Sequence, residues 1–323
     1  MNLLILALPI AVQGSPPPPP PPPPARWLPL IGTYVRGQDT LHVLEDRGRL
    51  AVLAVSGPPT PLMELSESTF AHRADTLVLR RDGTGRLGGA ILRRLQLGPA
   101  DGGQLRLSPV RPVAELLREV RASGAQPPRD TGSNQLAADL VELVGLDSSI
   151  HLDVRYATTN NFLSSVFYPA PRAFLQRPAA EALARAHRAL RPLGYGLLIH
   201  DGYRPWYVTK VFWDATPPES RWLVANPARG SKHNRGAAVD LTLYELASGH
   251  VVEMPSTYDE ATLRAAADFP GGTARERWHR ALLRRVMEAE GFVINPSEWW
   301  HFDYRDWQRY PILNVPFEDL GRP

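Results

Sequence analysis

Cysteine is absent from this chain of 323 residues. That excludes a disulfide framework, a thiolate metal site and a cysteine nucleophile, so any metal must be held by histidine and carboxylates. Lysine is nearly absent, occurring only at Lys210 and Lys232, and the positive charge falls to scattered arginines. With a formal net charge of +3 and no dense basic block, the chain lacks the electrostatic footprint of a nucleic-acid binder. Membrane-length apolar runs are missing too: the run over residues 3–12 is too short to cross a bilayer. The hydrophobic set nevertheless makes up 43% of the chain, against 21% charged, the balance of a globular protein. Its length suits about two domains.

What is plentiful is proline, 33 residues, with residues 16–24 an unbroken proline run. The apolar run before it, followed by Gln13, Gly14 and Ser15, resembles the core of an export signal, although its start carries no basic residue. A periplasmic or secreted location is therefore expected, with a cytoplasmic one as the alternative. The proline run can only be an extended, solvated polyproline rod, and it reads as a spacer.

Residues 26–111 read as β structure. Short apolar runs at 28–35, 41–44, 49–55, 76–80 and 91–97 have strand length. They are separated by turn signals at Asp46 to Gly48, Gly57 to Pro59 and Asp82 to Gly85. A small antiparallel barrel or sandwich is expected. Residues 112–135 read as a helix and a linker. Pro112 suits a first turn, Val113, Leu116, Leu117 and Val120 form a stripe, and Gly124 is the stop.

From residue 136 to 323 helical and strand patterns alternate. Strands are expected over 150–156, 196–200, 237–243, 292–294 and 300–304, and helices over 178–193 and from Pro205 to Trp213. Thr273 and Glu276 fit a capping box that opens a helix ended by Gly291, with Trp278, Leu282, Val286 and Met287 facing inward. The pattern predicts an α+β fold with a mainly antiparallel sheet. His151, His187, His250 and His279 read as surface residues, His42 and His72 as structural or surface ones, and His200 as structural or next to a site.

Three clusters carry possible chemistry. One runs from Ser231 through His233 and Gly236 to Asp240; a second holds Glu298, Trp299, Trp300 and His301; a third holds Asp201, Gly202, Tyr203, Arg204 and Pro205. His233, Asp240 and His301 are two imidazoles and a carboxylate, a set that suits catalytic zinc with one open position. Asp240 lies among Val239, Leu241 and Leu243, where a carboxylate is costly unless paired or metal-bound. Glu298 would be free to act as a general base, and Arg204 to hold developing negative charge. Each piece also has an ordinary reading. A lone histidine is commonly structural, a tryptophan pair is commonly core, Asp201 to Pro205 is a turn, and Asp240 could cap a helix or pair with arginine. Spacing alone leaves both readings open.

The pattern S-x-H-x-x-G-x-A-x-D, met by Ser231, His233, Gly236, Ala238 and Asp240, followed by E-x-W-H at Glu298, Trp300 and His301, resembles the zinc D-Ala-D-Ala metallopeptidases. The stretches at 153–162, 194–198, 201–205, 231–244 and 297–301 are similar to the VanX-type D-alanyl-D-alanine dipeptidases. The resemblance covers about residues 147–310. It implies that His233, Asp240 and His301 bind one zinc, that Glu298 is the general base and later proton donor, and that Arg204 stabilises the tetrahedral intermediate. It also implies that Tyr156, Ser231 and Asp259 line the dipeptide pocket. Asp259 would hold the substrate ammonium, and the hydroxyls of Ser231 and Tyr156 the carboxylate. Around Asp259 the chain departs from the family, with Pro255 after Met254 and Tyr258 in place of phenylalanine. Residues Ile31 to Tyr34, Leu41, Val43 and Gly48 to Leu50 faintly resemble the lipocalin-like β modules attached to some bacterial hydrolases.

The function so implied is hydrolysis of D-Ala-D-Ala. The alternatives are a D,D- or L,D-carboxypeptidase on longer stem peptides and a non-catalytic cell-wall-binding module. A small dipeptide is the expected partner. All recognised motifs lie after the linker, so the β module is expected to be dispensable for chemistry.

Overall fold

A computed structural model describes residues 16–54, 57–95, 105–129 and 136–321. The signal-like run, the ends of the expected strands 49–55 and 91–97, and the linker from residue 130 to 135 lie outside the described residues.

The first body is a meander of β1 (Gly32–Arg36), β2 (Asp39–Asp46), β3 (Arg49–Leu53), β4 (Thr60–Pro61), β5 (Met63–Ser66), β6 (Thr69–His72), β7 (Asp75–Leu79), β8 (Thr84–Leu87) and β9 (Ala90–Arg94). Each strand pairs antiparallel with its chain neighbour except β4 and β5, and β1 also pairs with β9. The two ends of the sheet, β4 and β5, are separated in the chain only by Leu62. The sheet therefore curls back on itself as a small barrel, its edge strands β4 and β5 joined through the chain rather than by hydrogen bonds. Tyr34, Leu41, Val43, Phe70, Leu77 and Leu92 fill the interior. Residues 28–30, expected as strand, instead belong to a 3₁₀ helix, Ala25–Leu30. Its Trp27 and Leu30 join the barrel core, and Tyr34 donates to the Leu30 carbonyl at 2.8 Å. Pro29 explains the difference, because it cannot donate to a ladder.

The second body begins earlier than the linker reading placed it. Leu107 donates to the Phe162 carbonyl and Val110 to that of Ala215. Helix α1 (Val113–Ala122) buries Val113, Leu116 and Val120 in the same cluster as the C-terminal core. After it come β10 (Leu140–Glu142), α2 (Leu143–Leu146), β11 (His151–Leu152), β12 (Phe174–Gln176), α3 (Arg177–Leu190), β13 (Tyr195–Asp201) and α4 (Trp206–Ala215). Then follow β14 (Ala238–Glu245), α5 (Ala274–Ala289), β15 (Phe292–Asn295) and β16 (Glu298–Tyr304). The main sheet has the order β11-β13-β14-β16-β15, with only the β11–β13 pair parallel. This is the α+β arrangement with a mainly antiparallel sheet that the pattern implied. β10 and β12 pair apart from it.

The central strands β13 and β14 are buried along almost their whole length. The Thr273–Glu276 capping box is present in full at the start of α5. Inward on α5 lie Leu282, Leu283 and Met287 together with His279 and Arg280, while Trp278 and Val286 are only partly buried. His187 and His279 are buried, against the surface reading. Each has non-local partners that make burial tolerable: Ser149 and the Leu197 amide for His187, the Glu253 carbonyl and Tyr195 hydroxyl for His279. The proline run is not wholly solvated, since Trp278 donates its indole N–H to the Pro17 carbonyl at 3.1 Å.

Gly236 turns the chain out of the 3₁₀ turn His233–Arg235 and into β14 at φ 63°, in the left-handed region. A Cβ there would stand 2.4 Å from Leu140 Cδ2. Gly236→Ala is therefore expected to destabilise the protein by more than about 1 kcal/mol, through strain and crowding together. Urea unfolding checks this; an unchanged midpoint would show that the turn relaxes freely.

Candidate active site

The register of the sheet brings the acidic and imidazole groups together. Asp201 on β13 lies opposite Asp240 on β14, and Asp240 lies opposite His301 on β16. Directly opposed residues project to one face, so three strands present these side chains side by side. A register shift between Ile199 and Asp201 re-aims the end of β13 toward that row. Asp240 is 4% exposed between the fully buried Val239 and Leu241, where an unpartnered carboxylate would be costly. His233 reaches the same point from the 3₁₀ turn preceding β14.

Each of the three side chains has one polar atom fastened and one left over. His233 Nδ1 donates to the Gly202 carbonyl at 2.8 Å, which leaves the Nε2 lone pair free. His301 Nε2 is held by Asp303 Oδ1 at 2.9 Å, and Asp303 is in turn paired with Lys232. Asp240 Oδ2 accepts the Tyr258 hydroxyl at 3.1 Å. The remaining atoms, His233 Nε2, Asp240 Oδ1 and His301 Nδ1, lie 3.2, 2.9 and 3.5 Å from one another. Zinc–ligand bonds of 2.0–2.1 Å give a tetrahedral edge of roughly 3.3 Å, so this triangle has the size of one face of such a site. Three lone pairs converging at that spacing repel unless a cation lies between them. The residues thus fit a divalent metal ion with a fourth position open to the cleft. Without metal a proton takes that place: burial would lower the His301 pKa, but hydrogen bonds to Asp240 and Asp303 push it up to about 10.

Glu298 opens β16 directly after the turn at Pro296 and Ser297. Its carboxylate accepts from Asn295 at 2.8 Å and stands 3.9 Å from His301 Nδ1, next to the ligand triangle but outside it. Arg204 is 8% exposed, and two of its nitrogens contact Asp201 Oδ2 at 3.1 and 2.7 Å. The other oxygen of Asp201 accepts from the Tyr168 hydroxyl and the Gly202 amide. The guanidinium also lies over the rings of Tyr156 and Phe212, at 5.2 and 4.8 Å. Its remaining terminal nitrogen has no hydrogen-bond partner among the described residues and is available to a ligand.

These groups line one cleft of about 890 Å³, together with Tyr156, Ser231 and Asp259. The five residues singled out from the sequence for the metal and the chemistry, and the three singled out for substrate, are therefore neighbours here. One placement differs from expectation. Tyr156 donates its hydroxyl to Asp259 Oδ2 at 3.0 Å, so it belongs with the ammonium anchor rather than with a carboxylate-binding pair. Ser231 Oγ accepts the His233 amide, which leaves its proton for a substrate acceptor. Burial and the nearby negative charges of Asp240 and Glu298 push the Asp259 carboxyl up to about 8. An arriving ammonium would relieve that strain.

Tyr258 is the functional residue that the sequence reading passed over. In the sequence it stands out only as a departure from phenylalanine, yet its hydroxyl donates to the second oxygen of Asp240. The ring is fixed by stacking on His200 at 4.5 Å, and His200 contacts Asp153. Burial keeps the phenol pKa well above its ordinary value, so the hydroxyl remains a donor. The extra hydroxyl at that position was the available signal.

Two outcomes follow. Tyr258→Phe should weaken zinc binding by about 10–100-fold with the fold intact, the usual cost of losing a partner to a metal ligand; chelator competition measures it, and unchanged affinity would make Tyr258 a packing residue only. The second concerns pH. Asp259 and His301 both have pKa values raised above their ordinary 3.8 and 6.5. The metal-free folded state therefore binds more protons than the unfolded one, and its stability should fall as pH rises from 7 through about 10. Bound zinc should shrink that fall by displacing the His301 proton. Melting temperatures of chelated and zinc-loaded protein at both ends of the range test this; equal slopes would contradict it.

Comparison with known proteins places this site in context. The family model described as D-ala-D-ala dipeptidase, peptidase M15, matches residues 136–319. A D-alanyl-D-alanine dipeptidase of Escherichia coli K12 is 33% identical over 185 residues, covering 57% of this chain and 94% of that protein. One from Enterococcus faecium is 35% identical over 190 residues, covering 51% of this chain and 92% of its own length. Another from Enterococcus faecalis V583 is 35% identical over 195 residues, 54% of this chain and 93% of that protein. With residues 136–319 matched, and among them three side chains that could hold a metal ion, the chain belongs to the peptidase M15 family of D-Ala-D-Ala dipeptidases.

Proposed function

We propose that this protein is a zinc-dependent dipeptidase that hydrolyses free D-Ala-D-Ala. The observation that carries the reading is the presence, in one cleft, of the His233–Asp240–His301 triangle and the Tyr156–Asp259 pair. A free dipeptide has an ammonium at one end and a carboxylate at the other. Asp259, whose pKa burial and neighbouring charge raise, can ionise against the arriving ammonium, and the Tyr156 hydroxyl that donates to it lies beside that position. An N-acylated stem peptide would bring a neutral group to that carboxylate, which argues against the carboxypeptidase alternative. A purely binding module would need neither Glu298 nor a buried, cleft-lining Arg204.

Zinc held by the triangle supplies Lewis-acid activation of water and of the scissile carbonyl. The chain's own residues do the rest. Glu298 takes the proton of the attacking water, and its place beside the ligands lets it return that proton to the leaving amine. Arg204, fixed by Asp201 and by two aromatic rings, keeps its free nitrogen for the carbonyl oxygen as negative charge develops there. Ser231 offers its hydroxyl proton to the substrate carboxylate. Cell-wall peptide turnover or scavenging outside the cytoplasm suits the export-like run of residues 3–12.

Purified protein loaded with zinc should hydrolyse D-Ala-D-Ala, lose activity on chelation, and act poorly on L-Ala-L-Ala and on an N-acylated pentapeptide. Glu298→Gln should keep zinc and KM while kcat falls by at least about 100-fold. If saturating zinc restores most of the Glu298→Gln rate, Glu298 supports the metal rather than moving the proton.

A further inference from the structure

The barrel lies outside the residues matched to the family, yet it grips the segment that walls the cleft. Asp259, Glu260, Ala261, Thr262, Leu263 and Ala265 form that wall. At its near end the wall is rooted by Tyr258, held to Asp240 and His200. At its far end the chain runs through Phe269 and Gly272 into the start of α5, and there the barrel takes hold. Glu45 on β2 is 2% exposed, which is unusual for a carboxylate. One oxygen accepts the Gly48 amide at 2.7 Å; the other accepts the amide of Ala274, the first residue of α5, at 2.8 Å. That amide is one of the orphan donors of a helix start. The Glu45 backbone N–H donates to the Gly272 carbonyl at 3.2 Å, and its carbonyl accepts from Arg277 at 2.8 Å. Arg277 also donates to the Gly271 and Gly272 carbonyls and pairs with Asp46 at 3.5 Å. His42 meets Phe269 edge-on at 5.5 Å.

We propose that Glu45 is a positioning residue for substrate binding: through Gly272 and Ala274 it pins the far end of the 259–265 wall and so holds Asp259 where it meets the substrate ammonium. Past Ala265 the chain is also held within the second body, by the Ala267 amide on the Pro296 carbonyl and by Arg280 on the Ala266 and Phe269 carbonyls, and the barrel adds the last hold at Gly272 and Ala274. Asp259 needs such support, because its backbone sits at φ 58°, a costly conformation for a residue other than glycine. Asp240, His301 and Glu298 are set by the sheet and His233 by the turn that enters β14, so the brace acts on recognition and leaves the chemistry alone. On this account the barrel is not dispensable, although it contributes no group that touches substrate.

The test uses the full zinc-loaded chain carrying Glu45→Ala, and it rests in part on the dipeptidase reading. Hydrogen exchange should quicken in residues 259–274 and not in β13, β14 or β16. KM for D-Ala-D-Ala should rise by about fivefold or more, with kcat within about twofold of the parent and zinc content unchanged. Unchanged exchange over 259–274, or an unchanged KM, would overturn the proposal, as would a loss of kcat at constant KM. Should Glu45→Ala fail to fold, Glu45→Gln, which keeps one acceptor oxygen, must move both readouts in the same direction or the proposal fails. If the parent itself does not cleave D-Ala-D-Ala, the substrate reading is wrong, and the exchange measurement alone decides the brace.

Discussion

The pairing of β14 with β16 is the constraint on which the site depends. It sets Asp240 opposite His301 on adjacent buried strands, and the same row extends to Asp201 on β13. A slip of one residue would send each of these side chains to the other face of the sheet. The apolar residues that alternate with them, Val239, Leu241 and Phe302, are fully buried and make such a slip prohibitive. The hydrophobic pattern that stabilises the sheet therefore also fixes the spacing of the polar groups. His233 and Gly202, in turns beside the strand ends, complete the arrangement without belonging to a strand.

Around that row the electrostatics are deliberately unbalanced. Lys232 offsets Asp303 and Arg204 offsets Asp201. Asp240 and Glu298 lie 2.9 and 3.9 Å from the His301 imidazole, whereas Asp259 has no ion-pair partner among the described residues, and burial together with the charges of Asp240 and Glu298 raises its pKa. A metal ion at the triangle and an ammonium at Asp259 would restore the balance. The cleft is complementary to its two cations before either arrives, an expression of preorganisation at a binding site.

Much of this was legible in the chain, for reasons that differ by residue. The three residues that could hold a metal ion, and Glu298 beside them, could be picked out because such chemistry demands particular residue types at short, fixed spacings. The helices α1, α3 and α5 could be found because their stripes and stops are local: Gly124 and the Thr273–Glu276 box sit where the pattern put them. Long-range pairing could not. The strands β4, β5, β6 and β8 are only two to four residues long, too short to show a period of their own, and pairing with neighbouring strands makes them strands. His187 and His279 resemble solvent-facing histidines until distant carbonyl and hydroxyl partners are known. Tyr258 lies well beyond Asp240 in the chain, and only the folded path brings its hydroxyl to that carboxylate. The hold of Glu45 on α5 is of the same kind, a contact between two bodies that no local pattern encodes.

The central claim is that three chosen atoms converge on one metal ion, each with its other polar atom already committed. A crystal structure of the zinc-loaded protein with anomalous scattering at the zinc edge tests it most directly. The account requires one zinc per chain, bonded to His233 Nε2, Asp240 Oδ1 and His301 Nδ1 at about 2.0–2.2 Å, with the fourth position facing Glu298. Zinc bound through His301 Nε2, or seated elsewhere with Asp240 left unligated, would contradict it.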